Sequence, residues 1–241
     1  MKKLLRLMFI ILVIFNTQAV FSAEMFPEQE IEDIPLIDLK PKEFTLFEVF
    51  RSKDIKDQKK YSGLWSTVNT KINLDSLRIS TIASSSLGAA YKSSNLLDGK
   101  IDTAWVEGAK DDGINQWFKI QLDATKESPT TTPFSILKVG VIPGYSKSHK
   151  TWNENNRVKT ALLVIYSPPF TTPKECEWVV FRLRFKDENK LQIFEIPDEK
   201  IGYSMDLMSK TVWFKIEEVY KGTKYQDTCV SEIIFIGGCT S

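Results

Sequence analysis

Between Asn95 and Trp117 the chain reads NLLDGKIDTAWVEGAKDDGINQW, the densest collection of chemically able groups in its 241 residues. Five carboxylates stand among turn residues, Asp98, Glu107, Asp111 and Asp112 with Asp102 among them, and Thr103, Trp105 and Trp117 lie beside them. Acids in such numbers can pair for general acid–base hydrolysis, or can offer hard oxygen ligands to a cation. A second group lies in GYSKSHKTWNENNRVK at 144–159, which holds Tyr145, Lys147, His149, Trp152, Asn153, Asn156 and Arg157. Its chemistry is recognition: an aromatic ring can stack on the C–H face of a sugar, while amide and guanidinium groups hydrogen-bond its hydroxyls. The candidate ligand-binding set is Glu107, Asp112, Tyr145, Trp152, Asn156 and Arg157, provided the two loops lie at one end of the fold. Trp105 and Trp117 are expected beneath the loops as packing residues. Tyr145 and Trp152 serve equally well as loop anchors, and Arg157 and Lys159 as salt-bridge partners of Glu107 or Asp112.

Signs of catalysis are sparse. His149 is the single histidine, set in a polar loop between Lys147 and Lys150 with no acid or nucleophile nearby in sequence. A Ser-His-Asp or Cys-His arrangement would have to use it. No glycine-rich phosphate loop, HExxH or CxxC occurs. A hydrolase using two acids brought together in space stays open as a third reading, behind a binding protein and a protein–protein adaptor.

The elements that must hold these loops read as strands. In VVFRLRF at 179–185, Val179, Phe181, Leu183 and Phe185 point one way and Arg182 and Arg184 the other. FKIQL at 118–122 and TVWFKIE at 211–217 alternate in the same way, and runs at 136–142, 160–166, 191–196 and 230–236 bring the total to at least seven. Turn-rich stretches separate them, and no strand–helix alternation appears. The expected fold is all-β: an antiparallel two-sheet sandwich over residues 61–241, with an N-terminal extension.

Residues 1–22 have the form of a signal peptide. Lys2, Lys3 and Arg6 precede an apolar run from Leu7 to Phe15, and Ser22 and Ala23 offer a cleavage point. The chain is therefore expected to be exported, to the periplasm, the cell surface or the medium, with no membrane insertion after cleavage. What remains carries 29 basic and 31 acidic residues. That near balance gives no electrostatic footprint for nucleic acid. Residues 23–60 differ from the rest, with eight acids by Glu48 against two lysines and prolines at 27, 35 and 41. They predict an extended tether to Pro41 and a short helix at 43–57, where Phe44, Phe47, Val49, Phe50 and Ile55 approach helical spacing. The segment is either a surface tether or a docking segment for a protein partner. Cys229 and Cys239 flank a predicted strand whose ten residues would set them about 30 Å apart, too far for a disulfide. Cys176 could reach either, leaving one thiol over; the alternative is three reduced cysteines with no redox chemistry.

Several blocks together resemble a known family. Asn95-Leu96-Leu97-Asp98-Gly99, Thr103-Ala104-Trp105-Val106-Glu107-Gly108, Asp112-Gly113-Ile114 and Trp117 look like the first half of a discoidin-like domain of coagulation-factor C type. With Gly144-Tyr145, Asn155-Asn156-Arg157-Val158-Lys159, the Tyr220–Tyr225 block and Ser231-Glu232-Ile233, the chain is similar over about 80–241 to the domain that precedes the catalytic part of streptococcal NAD-glycohydrolases. That group is also described as an NADase-type glycan-binding domain. The catalytic portion has no counterpart here, so the resemblance implies binding without NADase activity. Asn115-Gln116 and Pro143 depart from the expected pattern, both in loops. The resemblance also implies a structural Ca²⁺, held by Asp98, Thr103 and Glu232 with main-chain oxygens near Asn95 and Ser231. The implied function is recognition of a glycan or another cell-surface component by loops of the sandwich.

Overall fold

In the computed structural model, the described residues are 25–43, 64–66, 77–124, 134–167, 177–197 and 209–239. Residues 1–33 form one compact unit and 34–241 another. The described part of the first, 25–33, is a run of turns in which the Glu28 amide donates to the Phe26 carbonyl. The signal-peptide region, the expected helix at 43–57 beyond its first residue, and Cys176 lie outside the described residues.

The second unit is a two-sheet β-sandwich. Twelve described strands run β1 (Leu36–Leu39), β2 (Leu64–Ser66), β3 (Leu77–Ala83), β4 (Trp105–Val106), β5 (Trp117–Ala124), β6 (Phe134–Ile142), β7 (Asn156–Ser167), β8 (Glu177–Arg184), β9 (Gln192–Glu195), β10 (Ser209–Tyr220), β11 (Thr228–Val230) and β12 (Glu232–Cys239). The larger sheet is ordered β1-β8-β7-β10-β5-β3, with β11 joined to β7 and β4 to β11; the smaller is β2-β12-β6-β9. The central pairings are antiparallel, as the sequence predicts. Three additions are parallel: β1 on β8, β2 on β12 and β11 on β7. Leu36–Leu39, read from sequence as part of a tether, is thus a strand of the larger sheet.

Alternation sets the core. Phe118 and Phe214 face each other across β5 and β10 and stack at 4.8 Å, with Trp105 edge-on to Phe118 at 5.2 Å. Phe185, just past β8, meets Phe194 of the other sheet edge-on at 5.0 Å. Each fully buried aromatic or aliphatic side chain of this kind contributes about 1.5–3 kcal/mol. The stretch 230–236, predicted as one strand, is broken at Ser231. Val230 pairs within the larger sheet and Glu232 within the smaller, so the chain changes sheet at that residue.

Candidate functional site

Loops after β3, β4, β6, β8 and β10 are tied to one another at one end of the sandwich, and buried polar side chains make the ties. Asn156 begins β7, and its Nδ2 donates to Asp112 Oδ1 at 3.1 Å and to the Gln226 carbonyl at 2.6 Å, while its Oδ1 accepts from the Gly222 amide at 2.7 Å. One asparagine thereby joins the loops after β4 and β10 to the edge of β7. Arg157 donates in a fork to Asp187, at 3.0 and 2.6 Å, and its Nη1 reaches the carbonyls of Asn155 and Lys221. Bidentate pairing of this geometry fixes orientation as well as charge.

The loop after β6 turns through Gly144 into the short helix α1 (His149–Glu154). Ser148 and Thr151 cap the helix reciprocally, each accepting from the other's backbone amide. Trp152 points inward and is buried, with the Arg157 guanidinium 6.0 Å from its ring centroid. Glycine is required at 144 by proximity: a Cβ there would stand 2.5 Å from Arg157 Cγ and 2.6 Å from the Trp152 ring.

Glu107 is fully buried. Its oxygens accept from the amides of Thr228 at 3.1 Å and Ala109 at 2.7 Å. Burial raises its pKa, the two amides pull it down, and Asp227 and Asp111 add to the rise. Gly113 makes room for it, since a Cβ there would lie 2.6 Å from the Glu107 carboxyl carbon. Asn115, where the sequence departs from the family pattern, adopts a φ of 68°, a left-handed conformation that Asn tolerates better than most residues. Asp112 is half-buried; its pKa is lowered first by Lys221, with which it forms an ion pair, and then by Asn156.

Of the six residues expected to touch a ligand, four are buried and engaged within the protein: Glu107, Trp152, Asn156 and Arg157. Asp112 and Tyr145 keep solvent access. The Tyr145 ring sits edge-on to Tyr91 at 6.3 Å, and its hydroxyl reaches the Asp102 carbonyl at 3.4 Å. The two loops thus meet through Asp112 and Asn156, as the binding set requires. Trp105 is buried, with Nε1 donating to the Ser85 carbonyl, whereas Trp117 is half-buried. Arg157 and Lys159 pair with Asp187 and Glu218, and with neither Glu107 nor Asp112. Tyr225, beside Lys224 at 4.7 Å from its ring, is an exposed aromatic that the sequence reading did not single out. The family block Tyr220–Tyr225 contained it, but a tyrosine in a polar loop carries no signal of its direction.

Asp98 and Thr103 form a tight turn. Thr103 Oγ1 donates to Asp98 at 2.9 and 3.0 Å, and the Lys100 amide donates to the same carboxylate at 2.9 Å. Glu232 begins β12 with 2 % of its surface exposed, and neither carboxylate oxygen has a hydrogen-bond partner. Burial pushes its pKa up to about 9, and the negative charge of Asp98 pushes it further in the same direction. The Gly99 and Lys100 amides lie close enough to oppose the rise without closing a hydrogen bond to either oxygen. A buried acid facing a second acid, with both oxygens free, has the chemistry of a cation site lacking its counter-charge. Among the described residues no cluster of three His, Cys, Asp or Glu side chains exists, so carbonyl oxygens would have to complete the ligand set.

A two-sheet sandwich carrying its polar constellation on loops gathered at one end is the architecture of a discoidin-like domain. A family model described as the NAD glycohydrolase translocation F5/8 type C domain matches residues 68–236, and the chain belongs to that family. A search of curated proteins finds no match. Among solved structures, the chain is similar to the CBM32-1 and CBM32-2 domains of Clostridium perfringens ZmpB, with 11% identity and a TM-score of 0.43 over 83% of this chain and 41% of that one. In a longer piece of the same protein that includes its M60 catalytic domain, the match has 10% identity and a TM-score of 0.41, covering 67% of this chain and 14% of that one. The chain therefore spans less than half the length of those relatives. It is also similar to chitosan-binding module 2, in complex with chitotriose, from a Paenibacillus sp. IK-5 chitosanase/glucanase, at 16% identity and a TM-score of 0.38 over 67% and 98% of the two chains.

Proposed function

We propose that this is an exported, non-catalytic module whose loop end binds carbohydrate or another cell-surface component. The observation that carries this reading is the division of labour at that end. Buried Glu107, Trp152, Asn156 and Arg157 hold the loops rigid, while Tyr145 stays within reach of solvent above them. A preorganised frame beneath a half-exposed ring suits shallow recognition, because little conformational freedom is lost on binding. Asp112 and Lys221, joined in an ion pair, and the exposed Tyr225 are further groups of the loop end that solvent reaches.

The family's association with translocation supports export, as does the N-terminal sequence. Among the described residues no helix is long and apolar enough to cross a membrane. A hydrolase would need two facing carboxyls, one of them held protonated, open to a substrate; Glu232 and Asp98 meet the first condition, but Glu232 is buried with 2 % of its surface exposed. The cavity of about 280 Å³ beside β9 contains two acids, Glu43 and Glu188, but shares them with Lys42, Lys186 and Lys190. Lys190 pairs with Glu188 and holds its pKa down, opposite to what a general acid requires. His149 bonds to Asn153, with no nucleophile in the pair.

A cation such as Ca²⁺ would be held by Glu232 and Asp98 with main-chain oxygens of the surrounding turn, and would supply the charge that Glu232 lacks. Thr103 would orient Asp98. Such a site would adjoin the Tyr145 loop, because Ser231, next to Glu232, accepts from the Ser146 amide at 2.9 Å, and it would stiffen the recognition surface without joining it.

The test is a glycan array probed with residues 23–241 in Ca²⁺ and in chelator. Binding to a defined sugar class, lost in a Tyr145→Ala variant that keeps the wild-type circular dichroism spectrum, is the expected result. A folded protein silent in both conditions would overturn the reading in favour of a protein–protein adaptor.

A further inference from the structure

The loop between β8 and β9 contains Lys186-Asp187-Glu188-Asn189-Lys190, with a charged or amide side chain at every position. These side chains divide by parity, as those of an extended stretch do. Asp187 holds the Arg157 fork and Asn189 accepts from the Ser146 hydroxyl, so the odd positions are tied to the loop end. Lys186, Glu188 and Lys190 line the cavity of about 280 Å³ beside β9. Five consecutive residues thus serve the Tyr145 loop with one set of groups and the cavity with the other.

Hydrogen bonds fix the shape of this cavity. Gln192, 2 % exposed, clasps the loop at its root: its Oε1 accepts from the Lys186 amide at 2.8 Å and its Nε2 donates to the Lys186 carbonyl at 2.7 Å. Two three-residue turns follow, in which the Glu188 amide donates to the Lys186 carbonyl and the Lys190 amide to the Glu188 carbonyl. Lys42 and Glu43 form another wall, held where the Lys42 amide donates to the Ile193 carbonyl at 2.9 Å. That wall lies outside residues 68–236, the part of the chain that matches the family, so the cavity is a feature of this chain.

The walls carry both signs. Lys190 Nζ lies 2.8 Å from Glu188 Oε2, and Lys42 pairs with Glu195 of β9. An anionic ligand would meet Glu43 and Glu188, and a cationic one Lys42, Lys186 and Lys190. A neutral polyol meets neither opposition. A hydroxyl both donates and accepts, whereas a carboxylate only accepts and an ammonium group only donates, so walls holding both can satisfy both halves of a hydroxyl. Leu191 adds apolar surface for the C–H side of a ring. Small-molecule sites span roughly 300–1,000 Å³, and a volume at the bottom of that range has room for one sugar ring and not for a chain.

We propose that this cavity is a second sugar subsite, which takes one neutral pyranose ring by its hydroxyls. The assignment rests on the carbohydrate reading of the loop end and narrows it to glycans that present at least one uncharged ring.

The test is methyl NMR on the full chain labelled at leucine and isoleucine methyls, with Leu191 and Ile193 as reporters in the cavity lining. The probes are the methyl glycosides of glucose, galactose, mannose and N-acetylglucosamine, with glucuronate and inorganic phosphate as anionic comparators. At least one neutral glycoside is expected to move both reporters in a saturable titration. Glu188→Gln and Lys190→Gln are each expected to weaken that binding at least fivefold, and Tyr145→Ala to leave it unchanged. Silent reporters, a response to the anions alone, or undiminished binding by both cavity variants would overturn the proposal. Binding on the glycan array with silent reporters would remove the cavity and keep the Tyr145 surface. Responding reporters with a silent array would keep the cavity and remove that surface.

Discussion

Glu232 is the residue on which pH and a bound cation would act together. A carboxyl whose folded pKa is raised to about 9 from 4.5 holds its proton to higher pH when folded than when unfolded. The folded state then binds more protons, and stability falls as pH rises between those two values. In chelator, the melting temperature is expected to drop by several degrees from pH 5 to pH 9, and Glu232→Gln to flatten that decline. With Ca²⁺ in excess the wild type should lose the slope and melt higher, whereas Glu232→Gln should gain little; a wild type indifferent to both pH and Ca²⁺ in thermal melts would remove the site. Two further residues report on the frame. Gly144→Ala forces a methyl between Trp152 and Arg157, and overpacking of that kind costs about 1–3 kcal/mol. Arg157→Lys keeps the charge but loses the fork to Asp187, and is expected to cost about 1–2 kcal/mol in denaturant unfolding.

Strands with one wet face were readable from period alone. Arg182 and Arg184 mark the outside of β8 as plainly as Phe181 and Leu183 mark its inside, and the same holds for Phe118 to Leu122. The break at Ser231 was not, because Val230 and Ile233 are apolar on either side of it and nothing local marks the change of sheet. β1 and β4 have four and two residues, and both owe their pairing to partners far along the chain. The site followed the same logic. The sequence named the two loops, and Asp112 and Asn156 join them, but an Asn or Arg in a polar loop looks like a surface residue until Gln226 and Asp187 are brought to it. Ser231 gives the element-level test. Its hydroxyl holds the Ser146 amide, so Ser231→Ala should cost about 1 kcal/mol and lower the melting temperature by about 2–4 °C. Any ligand affinity of the Tyr145 loop should weaken with it, as titration calorimetry would show.

Leu36 pairs with Val180 and Leu64 with Phe235, so the earliest described strands of the chain close onto some of the latest. Contacts of such long sequence separation pay their loop-closure entropy before any pairing rewards it, and folding of this topology is slow. Refolding from denaturant, followed by tryptophan fluorescence, is expected on a timescale of milliseconds to seconds or longer. A chain ended at Ser231, which removes β12 and with it the pairing of both β2 and β6, is expected to stay unfolded by circular dichroism. Until β12 has left the ribosome, the described smaller sheet is limited to the β6–β9 pair, with the strand that joins β2 to it still missing. β2 finds its place in that sheet only when Glu232–Cys239 arrive.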